Sequence, residues 1–556
     1  MKTEQRRIVL MLALALVMGM LWHSWRQAHP VTTKTVDNSQ SQPVTVNNTN
    51  DNSSLNNHAI IANNIESTDK NLPLIHVKTD VLDIKINPKG GDIVYASLLK
   101  YSISAKSTKP IVMMNTHNNT EYLAKSMLVS NSGQSTQNIV FTSPKVNYTL
   151  QQGDSKLIVH LVGRSDNGLI IDKSYTFYQG KYDVGVNYAI KNTSETAWNG
   201  NLHTLLTRAD NPPAKKGFFH ISSFFGASYS TSDDAYNKVS FKKMTKEPVN
   251  TSSEGGWIAM QQHYFLSAWI PASNQRNQYY SNVSDNGLYT IGVKGQQYTI
   301  NPGQEQQLST ALYVGPEIAS NLKALAPHLE LTIDYGFLWF ISVIIFWLMQ
   351  KIYLVVGNWG WSIILVTIII KTLFYKLSAT SYRSMAKMRI LQPKIKQLQE
   401  RYADDKQKLT QATMELYRKE KANPLTGCLP ILIQIPVFIA LYWVLVESVQ
   451  LRQAPFILWI QDLAIKDPYY VLPILNGLAM FVQQKLNPPP PDPTQAKLMM
   501  LMPVFLTFVF MNFPAGLVLY WLVNSVYSIA QQYYIMKTID KHDAKMKYKK
   551  KAKSKA

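Results

Sequence analysis

The chain has 556 residues, 46% of them hydrophobic, a formal net charge of +21 and one cysteine. That length calls for more than one domain, and the lone thiol, Cys428, excludes an intramolecular disulfide and a paired-cysteine zinc site. The excess charge argues against nucleic-acid binding once it is located. Residues 376–421 hold twelve Lys/Arg against five Asp/Glu (+7), residues 537–556 nine Lys against two Asp (+7), and residues 2–7 add +2, each next to an apolar stretch, as the cytoplasmic flanks of membrane spans are.

In chain order, a basic start precedes the apolar run 8–22, which is either a cleaved signal peptide or an uncleaved anchor. Trp22-His23-Ser24-Trp25 follows without a small-x-small site, and aromatic residues there suit a membrane interface, which favours an anchor over residues 1–28. Residues 29–72 are rich in Asn, Ser and Thr and read as a flexible linker. From 73 to 334 the pattern becomes short alternating runs, such as 81–86, 156–161 and 182–188. Asn87-Pro88, Gly90-Gly91 and Asp285-Asn286-Gly287 punctuate them. Period-two alternation with such turns predicts a large antiparallel β-sandwich, big enough to bury a core without staples.

Apolar segments then follow at 336–349, 359–377, 429–449, 469–485 and 498–534, the last interrupted at Asn512-Phe513-Pro514-Ala515-Gly516 and so read as two spans. Charge fixes their arrangement. If both 336–349 and 359–377 crossed, the basic stretch 382–422 and the Lys-rich tail would lie outside. If only the second crosses, every basic segment lies on the cytoplasmic face. The expected architecture is an α+β membrane protein in which an N-terminal anchor precedes a periplasmic β-sandwich. An interfacial helix at 335–356 follows, then spans within 357–381 and 425–536, a cytoplasmic helical hairpin at 382–424 and a basic cytoplasmic tail at 537–556. In the hairpin, Met385, Met388, Leu391, Ile395 and Leu398, then Leu409, Leu416 and Tyr417, keep 3–4 spacings on two helices broken near 402–405. Hairpin and tail read equally as solvated basic surfaces or as contacts for a ribosome.

Lys371 stands inside an apolar run, twelve residues from both Trp359 and Arg383, or roughly 18 Å each way along a straight helix. A lone charge at mid-membrane costs ~2.5–3.5 kcal/mol or more and marks a bundle interior or a wet cavity. The alternative is snorkelling to the inner interface, which Lys376 marks five residues further on. Thr367 lies one turn back on the same face. Gln434, Gln483, Gln484, Asn524 and Ser525 are polar positions in other spans, read either as interhelical hydrogen bonds or as the lining of a hydrated groove with Lys371. No catalytic carboxylate or nucleophile accompanies them, no P-loop, G-x-S-x-G or H-E-x-x-H motif occurs, and no metal, cofactor or DNA is expected.

Five runs carry a family likeness: 382–395 (YRSMAKMRILQPKI), 423–438 (NPLTGCLPILIQIPVF), 451–456 (LRQAPF), 467–470 (DPYY) and 513–520 (FPAGLVLY). They resemble the YidC/Oxa/Alb insertase family, and the anchor and β domain resemble its Gram-negative form. The resemblance implies a bacterial inner-membrane protein with six spans, both termini cytoplasmic and its large domain in the periplasm. Its activity would be to insert, fold and help assemble membrane proteins, alone or with the Sec translocon. Nascent membrane proteins, the bilayer and a ribosome, reached by the tail and hairpin, would be its partners. It also implies a hydrophilic groove open to cytosol and lipid, with a buried arginine that attracts the polar outer part of a client. Lys371 occupies that arginine's position, which keeps the charge and loses the planar fork. Lys376 likewise replaces an expected proline. Thr367 and Gln434 are then groove-lining positions, and Tyr520 and Trp521 client contacts. Two other readings remain. One is a secondary transporter coupling through Lys371, which lacks the expected internal repeat. The other is an envelope enzyme with a sugar-binding cleft in the β domain, for which no carboxylate pair stands out.

Overall fold

The fold is described from a computed structural model covering residues 72–117, 120–212, 223–402, 405–420, 429–487 and 493–553. The expected anchor, all but the last residue of the linker, and Cys428 lie outside these. The alternating runs become strands of two sheets. The first, ten-stranded, begins at Asn250–Glu254 and continues through Arg276–Val283, Leu288–Ile300, Trp198–Ala209, Tyr122–Ser130, Asp92–Ser102, Leu82–Asn87 and Ile75–Lys78 to Asn147–Thr149. Pro110–Met114 pairs on Asp92–Ser102. The second, eight-stranded, runs through Asn237–Val239, Gly226–Ser230, Trp257–Gln262, Phe265–Ile270, Glu305–Pro316, Asp183–Asn192, Leu169–Tyr178 and Lys156–Arg164. Pairing is antiparallel save for Ile75–Lys78 beside Asn147–Thr149.

Alternation decides which residues face inward. Along Asp183–Asn192, Val184, Val186, Tyr188 and Ile190 are buried while Asn187, Ala189 and Lys191 are exposed. Trp269 is buried on one sheet and donates its indole N–H to the Leu205 carbonyl of the other at 3.1 Å. Lys173 is fully buried between the sheets. Its ammonium donates to the carbonyls of Gly90 and Ser126 at 3.0 Å each and sits over the rings of Tyr175 and Tyr188. Burial pushes this amine down to about 8, against the pull of Asp92. The Gly90-Gly91 turn makes room for it: Gly91 has φ +66°, and a Cβ there would meet Lys173 Cδ at 3.0 Å.

The C-terminal half is helical: α1 Trp339–Val356, α2 Trp359–Leu373, α3 Tyr375–Arg401, α4 Lys406–Lys419, α5 Leu429–Glu447, α6 Val471–Leu486, α7 Pro493–Phe510 and α8 Ala515–Lys553. Gly336–Val356 is long and apolar enough to cross a bilayer, and its outward face carries Trp339, Ile344, Trp347, Leu354 and Val355 exposed. Exposed apolar side chains also cover α6 (Ile474, Leu478) and α7 (Leu498, Leu501, Phe505, Phe508), the surface expected where lipid is the solvent. α2 and α3 meet at 67°, so the straight run expected over 357–381 breaks at Phe374. α3 and α4 form the expected hairpin, packed through Met388, Leu391, Ile395 and Tyr417 and tied by Lys394 to Glu420 at 2.6 Å.

The segment 450–468 contacts the β-sandwich. Arg452 Nη2 donates to the carbonyls of Ser102 (2.6 Å) and Ile103 (3.0 Å), and Gln453 Nε2 to that of Ser102 (2.9 Å). His263 Nε2 lies 2.8 Å from the Val446 carbonyl, and Ser223 Oγ donates to Glu447 at 2.9 Å.

Candidate functional site

α2, α5 and α8 converge on a cavity of about 430 Å³, and the polar residues singled out by sequence meet there. Thr367, Lys371, Gln434, Tyr520 and Asn524 line it, with Ile370, Phe374, Val437 and other apolar residues completing the wall. α2 contributes Thr367 and Lys371, one helical turn apart. α8 contributes Tyr520 and Asn524 by the same spacing, and α5 contributes Gln434.

Lys371 is 8% exposed. Its ammonium donates to Gln434 Oε1 at 3.1 Å and to Ser528 Oγ at 2.8 Å. No carboxylate among the described residues pairs with it. The Gln434 amide nitrogen donates to Tyr520 Oη at 3.2 Å and to Asn524 Oδ1. Ser528 Oγ passes its own hydrogen to the Asn524 carbonyl at 2.7 Å, which leaves its lone pairs for the lysine. The Thr367 hydroxyl is turned to the Ile363 carbonyl at 2.6 Å. An ammonium has three N–H donors, so two are held by neutral acceptors and one is left for another partner. The arrangement can orient a cation and accept a polar group. The Ser528 hydroxyl gives its hydrogen to a backbone carbonyl and not to the Lys371 amine, so this pair is not set for nucleophilic attack, and no metal cluster occurs among the described residues.

Trp521 is not brought to the cavity. It packs edge-on to Phe438 with centroids 4.7 Å apart and against Phe510 at 5.2 Å. Gln483 and Gln484 also lie outside the lining. Ser528 and Ser378 belong to the site and were not singled out. Ser528 was within reach of sequence reasoning, because it follows Asn524 by four residues on the same helix face.

Known proteins resemble this chain along most of its length. The family description "YidC periplasmic domain" matches residues 74–348, and "60Kd inner membrane protein" matches 351–543. The membrane protein insertase YidC of Legionella pneumophila (strain Corby) is 50% identical over 543 residues, covering 95% of this chain and 96% of that protein. The insertase YidC of Coxiella burnetii (strain Dugway 5J108-111) is 50% identical over 480 residues, covering 85% and 84%. A crystal structure of an active YidC insertase with its first transmembrane domain resolved aligns over 86% of this chain and 97% of that one, at 18% identity and a TM-score of 0.40.

Proposed function

This chain belongs to the YidC family of membrane protein insertases, and we propose that it moves client segments into the bilayer through the groove centred on Lys371. It is an inner-membrane protein with a periplasmic domain, its role insertion and not catalysis, and its clients nascent membrane proteins. The observation that carries the groove reading is Lys371: a cation nearly closed off from solvent, held by two neutral acceptors and facing a 430 Å³ cavity. A structural ion pair would have a carboxylate, and a snorkelling lysine would lie exposed.

In this reading α2, α5, α6, α7 and the first part of α8 cross the membrane, and α1 lies along its outer face. The termini and the α3–α4 hairpin are cytoplasmic. The Arg452 contacts with Ser102 and Ile103 support the outside placement of 450–468, since they put it beside the periplasmic domain. The positive groove reaches partway into the apolar layer and lowers the cost of bringing a short polar tail across. Burial of the client's own apolar span, at roughly 25 cal/mol per Å², supplies the driving force. No nucleotide is needed. The basic hairpin and tail would meet ribosomal phosphates, and the groove can act alone or beside the Sec translocon.

Photocrosslinkers placed at Thr367, Gln434 and Tyr520 test this against a stalled nascent membrane protein. Adducts at all three positions are expected. Adducts only at exposed positions on α6 and α7 would move the client path away from the groove.

A further inference from the structure

Away from the groove, the β-sandwich contains a cleft of about 330 Å³. A β-bulge builds its floor. Between Trp198–Ala209 and Leu288–Ile300 the register shifts across Asn201 and His203, and Asn201 Nδ2 ties down the Gly295 carbonyl at 2.8 Å. Such bulges re-aim groups out of the ladder. Gly295 keeps the floor open, because a Cβ there would lie 3.2 Å from the Leu202 carbonyl and 3.9 Å from Asn277 Oδ1. Asn277 is 1% exposed. Its amide nitrogen is held by the Gln275 carbonyl at 3.1 Å, while Oδ1 has no donor. That oxygen is closed off from the cleft and helps to shape its floor.

We infer that this cleft is a non-catalytic binding site for one ring of a neutral saccharide. The lining contains no Asp, Glu, Lys, Arg or His, so a charged ligand would leave water with nothing to pair it, and bond cleavage would have no acid or base. The walls are mixed. Leu308 and Pro271 are apolar, Thr204 and Thr310 carry hydroxyls, and the half-buried Tyr298 offers a ring. A sugar ring matches this mixture, with C–H groups for Leu308 and Pro271 and hydroxyls for the polar side chains of Thr204, Gln275 and Ser309. A peptide matches it less well, since strands that line the cleft already pair their backbones within the sheet. The inference does not depend on the insertase reading.

Full-length protein in detergent, titrated with N-acetylglucosamine, glucose and galactose and read by saturation-transfer difference NMR, tests it. Saturable binding of at least one sugar is expected, unchanged by added salt because the ligand is neutral. Gly295→Leu, which fills the floor, should weaken it at least about tenfold. Tyr298→Ala, at the rim, should weaken it without disturbing the fold and decides the matter should the leucine variant misfold. No saturable transfer from any of the three sugars, binding indifferent to Tyr298→Ala, or binding of an uncharged Ser/Asn peptide in their place would each overturn the assignment.

Discussion

Replacing Lys371 by Met removes the cation from the groove and keeps an unbranched side chain of similar length. Two effects on stability oppose each other. Gln434 Oε1 and Ser528 Oγ lose the donor that now reaches them at 3.1 and 2.8 Å, and each unpaired buried acceptor costs ~1–3 kcal/mol. Removing a charge from a membrane interior returns ~2.5–3.5 kcal/mol. Because Ser528 keeps its bond to the Asn524 carbonyl, its loss falls at the low end and the two effects nearly cancel. Melting of the variant in detergent should therefore stay close to that of the parent. Insertion should not. If the third ammonium donor holds a client's polar tail on its way across, the lost charge-assisted hydrogen bond is worth ~1.5–3 kcal/mol, or roughly a 10–150-fold fall in rate. The assay is protease protection of a single-span client with a short polar translocated tail, using the full chain in liposomes. Lys371→Arg should retain most activity, since the charge is what acts. A Met variant that melts normally and inserts within about twofold of the parent rate would refute the role assigned to the charge.

Three further outcomes follow from other parts of the molecule. Lys173 has a folded-state value depressed to about 8 from an ordinary 10.5. The stability it contributes is therefore present above 10.5 and lost as pH falls through 8. The unfolding free energy of the parent relative to Lys173→Met should rise by ~3 kcal/mol from pH 8 to 10.5, and the same pH dependence in both proteins would contradict the buried placement. Arg452→Ala removes the two bonds to Ser102 and Ile103 and should raise amide exchange around 102–104 about tenfold, as read by mass spectrometry; unchanged protection would mean that these contacts do not hold the sandwich to segment 450–468. Gly360 touches the Phe456 ring, whose Cδ2 would lie 2.0 Å from an added Cβ, so Gly360→Val should destabilise by ~1–3 kcal/mol, visible as a lower melting temperature.

The strands were legible because one face of each is buried and the other wet, which writes a period of two into runs such as Asp183–Asn192. The hairpin was legible for the matching reason at 3–4 spacing, and Met388, Leu391, Ile395 and Tyr417 do form its core. The groove polar residues stood out because Lys, Gln and Asn are costly in apolar runs. Trp521 entered through the family likeness and not through that reasoning. It neighbours Tyr520 in sequence, but one residue turns a helix by about 100°, so Tyr520 and Asn524 face the cavity while Trp521 meets Phe438. The 67° bend was not legible, since no proline or glycine marks Phe374. Thr372 just before it returns its hydroxyl to the Ile368 carbonyl at 2.7 Å, a bond that favours helix bending.

Segment 450–468 would give the proposed groove a direction. At one end, the first amides of α8 are unpaired within the helix, as at any N-terminus, and the segment satisfies them. Ala515 N–H donates to the Ile465 carbonyl at 2.7 Å and Gly516 N–H to that of Leu463 at 2.9 Å. Asp467 fixes the same segment, accepting from Trp459 Nε1 at 3.0 Å and from the Leu472 amide at 2.8 Å. Backbone bonds of this kind pair helix-terminal amides that would otherwise draw water. At the other end, Lys371 lies three residues before the bend, past which α3 keeps packing on α8 through Ala379, Tyr382 and Ile535 and adds Leu377 and Ser378 to the cavity wall. On the proposed groove reading, paired backbone closes the end at the start of α8, so a polar tail would enter from the opposite end and its apolar neighbour would pass into lipid. Opening the closed end should therefore leak ions without speeding insertion. Asp467→Ala tests this in liposomes, and faster insertion with no ion leak would mean that segment 450–468 gates clients instead of sealing the groove.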